Sequence, residues 1–219
     1  MATKADAQKS RILDAFVGRL ATTPFPEIDL ADVASDAGVS LADLRGQYDG
    51  TLDLLDAFNR KIDMVVLGRD DPAMTDEAAR ERLFDVLMRR FDALAPHREA
   101  VRLLDRSVRR DPLLALAVAP GVVRSMEFML AAARIPAGGT IGLLRAPALA
   151  LAWSRMVPAW LGDTDPGLAR TMVAVDRELQ RCERAERLGD RLGGLVGRLV
   201  PRPSSRRTDN VSDIAGEGI

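Results

Sequence analysis

Over residues 29–58 the chain spells out three short helices and the two tight turns that join them, and few folds accommodate that punctuation. Asp29 stands where a helix N-cap belongs, its carboxylate able to accept from the orphan N–H groups of a first turn. Leu30, Val33, Ala34 and Ala37 then recur at helical spacing on one face, and Gly38 supplies the turn. Ser40-Leu41-Ala42-Asp43 has the form of a capping box closed by a shorter acid. It opens a second helix predicted to bury Leu41, Leu44 and Tyr48. Asp49-Gly50 breaks that helix and Thr51 begins a third.

This order is that of a helix-turn-helix. Val33-Ala34 through Ala37-Gly38-Val39-Ser40 to Leu44 and Tyr48 resembles the DNA-binding domain of the TetR family position by position. The resemblance implies an all-α protein with a three-helix N-terminal head on a larger helical domain for ligand binding and dimerisation. It places candidate DNA contacts at Ser40, Arg45, Gln47 and Tyr48. TetR-like regulators usually carry a Lys after the Ser, an aromatic after the Leu, a His or Tyr before the last aromatic, and a Lys in the following turn. Here those places hold Leu41, Arg45, Gln47 and Asp49-Gly50-Thr51. Residues 1–62 carry 7 Lys and Arg against 10 Asp and Glu, a balance of −3. Duplex binding draws most of its non-specific free energy from neutralising phosphates, so such a head is expected to bind DNA weakly.

The remainder reads as helix. Aromatics are 4%, β-branched residues are thin and nothing alternates with period two for long. Residues 5–21 place Ile12, Leu13, Phe16, Val17 and Leu20 on one face, and residues 51–67 bury Leu52, Leu55, Phe58, Ile62 and Val66. Thr75-Asp76-Glu77 is the expected cap of a helix with the stripe Leu83, Phe84, Leu87, Met88, Phe91 and Leu94. Residues 97–110 carry Val101, Leu104 and Val108 beneath a basic face that includes Arg98, Arg102, Arg106, Arg109 and Arg110. Pro120-Gly121 is expected to interrupt the next run, and Pro147 and Pro158 to kink the one after it. Asp165-Pro166 opens a helix carrying Leu168, Met172, Val175 and Leu179. The expected units are residues 1–50, 51–182, an amphipathic helix over 183–200 and a disordered tail over 201–219.

The chemistry of catalysis is poorly supplied. His97 is the single histidine and Cys182 the single thiol, so metal-ligand spacing is absent, and no cofactor is expected. Gly193-Gly194-Leu195-Val196-Gly197 follows no strand and is no phosphate loop. One cysteine, a polar N-terminus and no apolar run approaching about 20 residues point to a cytoplasmic protein, with peripheral membrane contact allowed.

Met126, Met129, Leu149, Trp153, Met156, Val157 and Trp160 fall in the long segments that lack a charged face. They are candidates for a hydrophobic ligand site, and equally for core and dimer interface. Trp160-Leu161-Gly162-Asp163-Thr164-Asp165-Pro166, followed by Thr171 and Asp176-Arg177-Glu178-Leu179, resembles the C-terminal motif of the Coq-nine family of ubiquinone-biosynthesis accessory proteins. Pro96-His97-Arg98-Glu99 is similar to an earlier helix start of that family. This resemblance implies an isoprenoid- or quinone-like lipid held between helices, no DNA binding, and membrane docking through a terminal helix. Leu188, Leu192, Leu195, Val196 and Leu199 would insert, with Arg187, Arg191 and Arg198 toward anionic headgroups. The sequence is therefore read first as a non-enzymatic, homodimeric binder of a lipid-like ligand. The alternative is a DNA-binding regulator controlled by a hydrophobic ligand.

Overall fold

The head folds around its caps. The computed structural model describes the backbone of residues 4–69, 72–136 and 139–199, and side chains in the last helix as far as Arg187. It contains α1 (Lys4–Leu20), α2 (Leu30–Ala37), α3 (Leu41–Arg45), α4 (Thr51–Leu67), α5 (Ala79–Leu94), α6 (Arg98–Arg110), α7 (Pro112–Ala132), α8 (Gly139–Leu161) and α9 (Ala169–Leu199). No strand occurs among the described residues.

Asp29 accepts from the Ala31 N–H at 2.8 Å, which starts α2. Gly38 ends it at φ 64° and ψ 41°, in the left-handed region where a side chain is strained, and the Val39 N–H returns to the Ala34 carbonyl. Both halves of the capping box form at α3: Ser40 Oγ accepts from the Asp43 N–H at 3.0 Å, and Asp43 accepts from the Ser40 N–H at 3.2 Å. Ile12, Phe16, Leu20, Val33, Leu44 and Tyr48 close the core of the head, with Phe25 edge-on to Phe16.

Two residues expected in that core lie outside it. Leu41 is 52% exposed and Leu52 is 42% exposed. α3 has only five residues, so Leu44 is the one it can turn inward. On α4 the inward positions are Leu54, Leu55, Phe58, Ile62 and Val66, and Leu52 falls on the other side of the helix.

α4 joins head to body, packing on α1 from one side and on α5 and α7 from the other. The expected cap at residues 75–77 belongs instead to a 3-10 turn, Pro72–Asp76, and α5 begins after Ala78 with no side-chain cap. Arg82 holds this entry by donating to the carbonyls of Glu77 and Ala133.

α7 runs through Pro120-Gly121 without interruption, because Pro120 is on the exposed side and costs one backbone bond. Gly121 faces α4 so closely that a Cβ there would lie 2.1 Å from Asp56 Oδ1. Contrary to the reading of the sequence, α7 is long and apolar enough to cross a bilayer by length and composition. In this fold it packs against α4, α5, α6 and α8.

α8 likewise continues through Pro147 and Pro158. α9 begins at Ala169, later than Asp165-Pro166. Asp165 accepts from the Gly167 and Ala169 N–H groups, and Leu168 takes φ 54° to turn the chain. The backbone expected to form a separate helix from Glu183 is the continuation of α9. The side chains of Leu188, Leu192, Leu195, Val196 and Leu199, and residues 201–219, lie outside the described set.

Candidate nucleic-acid interface and core cluster

The head presents α3 outward, and its four candidate contact residues divide sharply. Ser40 is exposed but its hydroxyl is engaged with Asp43. The hydroxyl and N–H of Ser40 hold the Asp43 carboxyl below its usual range, so an ionised acid sits at the head of the would-be recognition helix. Arg45 is exposed and pairs with Asp49, four residues on in the loop after α3, at 2.5 Å. Gln47 is half-buried. Tyr48 is turned inward at 4% exposure; its hydroxyl donates to the Lys9 carbonyl at 3.2 Å, and burial raises the phenol pKa. Tyr48 therefore fastens α1 to the turn that follows α3, with most of its ring inside the core.

Arg19 binds Asp36 and Asp32, tying α1 to α2, and holds the Asp36 carboxyl below its usual range. Beside α3 lies an open groove of about 450 Å³, lined by Asp29, Leu30 and Ala31 at the start of α2 and by Leu41, Arg45 and Asp49 among others.

The seven residues proposed for a hydrophobic ligand come together in the body, all buried. Trp153 and Trp160 both stack on Phe91, at 4.5 and 5.4 Å between ring centroids. Met126, Met129 and Met156 are fully enclosed, with Leu149 and Val157 in the same core. The open hollows beside α3 and along α8 and α9, the latter about 380 Å³ near Pro158 and Arg170, have other walls. One atom of the cluster is unsatisfied: Trp160 Nε1 is buried with no acceptor.

Charged residues support this core in places the apolar pattern did not reveal. Arg90 is buried on α5, lies over the Trp153 ring and donates to Asp63 of α4, which also accepts from Ser125 Oγ of α7. Burial pulls the Arg90 guanidinium pKa down while Asp63 opposes it. The available signal was an Arg and an Asp set inside otherwise apolar stripes, next to Phe91 and Ile62. The basic face of α6 is also structural in part. Arg98 donates to the Trp160 and Asp163 carbonyls, Arg102 to Leu161 and Arg109 to Ser154, so these cations satisfy carbonyls along and just beyond the C-terminal part of α8.

The Trp160–Pro166 motif has a physical role at the same corner. Asp163 is buried and accepts from the N–H and hydroxyl of Thr171, both at 2.8 Å. Burial pushes its carboxyl pKa up, but the Thr171 and Asp165 donors outweigh it and hold the group below its usual range. No cluster of three or more potential metal ligands occurs among the described residues.

The assembled fold is that of the TetR transcriptional regulators. It superposes on a TetR transcriptional regulator from Nitrosomonas europaea with a TM-score of 0.60 at 23% identity, covering 80% of this chain and 97% of the other. A TetR transcriptional regulator from Rhodococcus sp. RHA1 gives 0.59 at 19% identity, covering 82% and 97%. No protein-family model matches the sequence, and no curated protein does.

Proposed function

We propose that this chain is a homodimeric transcriptional regulator whose helix-turn-helix reads an operator through the outer face of α3. The observation that carries the reading is the completeness of the reading frame. The Asp29 cap, the left-handed Gly38 and the closed Ser40–Asp43 box fix the ends of α2 and the start of α3, in a fold that superposes on 97% of a TetR transcriptional regulator. Dimerisation is supported by apolar side chains left in water on neighbouring helices, Leu144 and Leu151 on α8 with Met172 and Val173 on α9.

The electrostatics set the manner of binding. Between Arg19 and Arg60 the only Lys or Arg is Arg45, so the head neutralises few phosphates and contributes little sequence-independent affinity. Selection from a random duplex library, followed by anisotropy titration, tests the proposal. A single enriched motif lost in Arg45→Glu supports it; no enrichment at low salt ends it.

A second reading, a bound hydrophobic lipid-like molecule that acts as ligand, is favoured by the orphaned Trp160 Nε1, which offers a donor within an apolar cluster. Organic extraction of the purified protein with native mass spectrometry tests it, and an empty protein with no extractable lipid rejects it.

A further inference from the structure

The groove beside α3 has an apolar floor and a carboxylate rim. Leu41 stands half in water there next to Leu30 and Ala31, with Asp29 and Asp49 in the same lining. Arg45 is the one cation in the lining, and its charge is already engaged by Asp49 at 2.5 Å. An apolar anchor point flanked by two carboxylates complements a chain that carries cations beside large apolar side chains.

We infer that the groove formed by Leu30, Ala31, Leu41, Arg45 and Asp49 is a docking site for a cationic amphipathic segment of a partner polypeptide. An apolar side chain of the partner covers Leu41, and its Lys or Arg side chains meet Asp29 and compete with Arg45 for Asp49. The segment and a duplex exclude each other on this face. The docking site goes beyond the operator reading and stands without it, since its test contains no DNA.

The probe is a labelled peptide of leucine and lysine at helical spacing, titrated into the full chain by anisotropy, beside an equally charged peptide with serine for leucine. Leu41→Ser and Asp49→Lys alter exposed side chains and keep the fold, which circular dichroism checks. Each is expected to weaken the leucine-containing peptide about tenfold, roughly 1.4 kcal/mol. Glu127→Gln, an exposed carboxylate on α7, changes nothing, and the serine peptide does not bind. Equal affinity for Leu41→Ser, an equal loss in Glu127→Gln, or tight binding of the serine peptide would each mean diffuse charge attraction and overturn the inference. Removing residues 200–219, which include Arg202, Arg206 and Arg207, separates a further source of cations. Unchanged affinity supports an external partner. A tenfold gain means the chain fills its own groove and overturns it.

Discussion

Arg45, the last residue of α3, and Asp49 in the loop after it pair on the outer side of the head, and the carboxylate holds the guanidinium that a phosphate would need. Both side chains are largely exposed, so the pair adds at most about 1 kcal/mol to the fold. Its larger effect is on what the head can bind.

Under the operator proposal, Asp49→Asn is expected to tighten duplex binding about threefold at low salt, by freeing Arg45 and removing a negative charge beside it. Stability should barely move. Anisotropy titrations of both proteins against one duplex make the comparison; weaker binding by the variant would contradict it.

Gly121 and Asp56 give a prediction whose sign depends on background. In the natural chain Gly121→Ala drives a Cβ against Asp56 Oδ1, so Asp56 must leave Arg124, at a cost of about 1 kcal/mol. In an Asp56→Ala background the same change meets no carboxylate and gains up to about 1 kcal/mol of helix propensity. Urea denaturation of the four proteins measures both. Identical effects in the two backgrounds would show that the close approach is unimportant.

The buried Arg90–Asp63 pair behaves differently from the surface pairs. Asp63→Ala leaves a desolvated guanidinium without its counter-charge and is expected to cost about 3–5 kcal/mol. The double replacement Asp63→Leu with Arg90→Met removes both charges and should cost much less. Equal losses by chemical denaturation would mean that packing, rather than charge burial, sets the energy.

Asp163 sets a pH dependence. Its folded-state carboxyl is held below its usual range, so it contributes stability above the ordinary value of 3.8. That contribution is lost as pH falls through the lowered folded-state value, because the unfolded chain then binds the proton more readily. Asp163→Asn should therefore be destabilised relative to the natural chain at neutral pH, with the gap closing in acid. A gap constant from pH 7 to the acid limit would refute the assignment.

Local chemistry was legible in the head, where a few adjacent residues decide the structure, and less so at α5, where the expected cap at residues 75–77 belongs to a 3-10 turn. Asp29, Gly38 and the Ser40–Asp43 box act over four residues or fewer, and each forms as its sequence requires. The all-α fold followed from the same signals and from periodicity. What was not legible depends on the far side of a helix. Leu41 and Leu52 satisfy the apolar spacing, yet both stay about half exposed. Pro120 reads as a break, yet it falls on solvent while Gly121 meets Asp56 from α4. Arg98 and Arg102 read as a solvated basic face and in fact close the end of α8. A single sequence does not name those partners.

The helix-turn-helix of this chain is closed at its caps, while the cation on its outer face is already paired. The most direct measurement is the affinity for non-cognate duplex as a function of salt. The expected result is a dissociation constant weaker than about 10⁻⁴ M at physiological salt and a log–log slope of about −2 or shallower for the dimer, from one phosphate per head. Micromolar non-cognate binding with a slope of about −6 or steeper would contradict it.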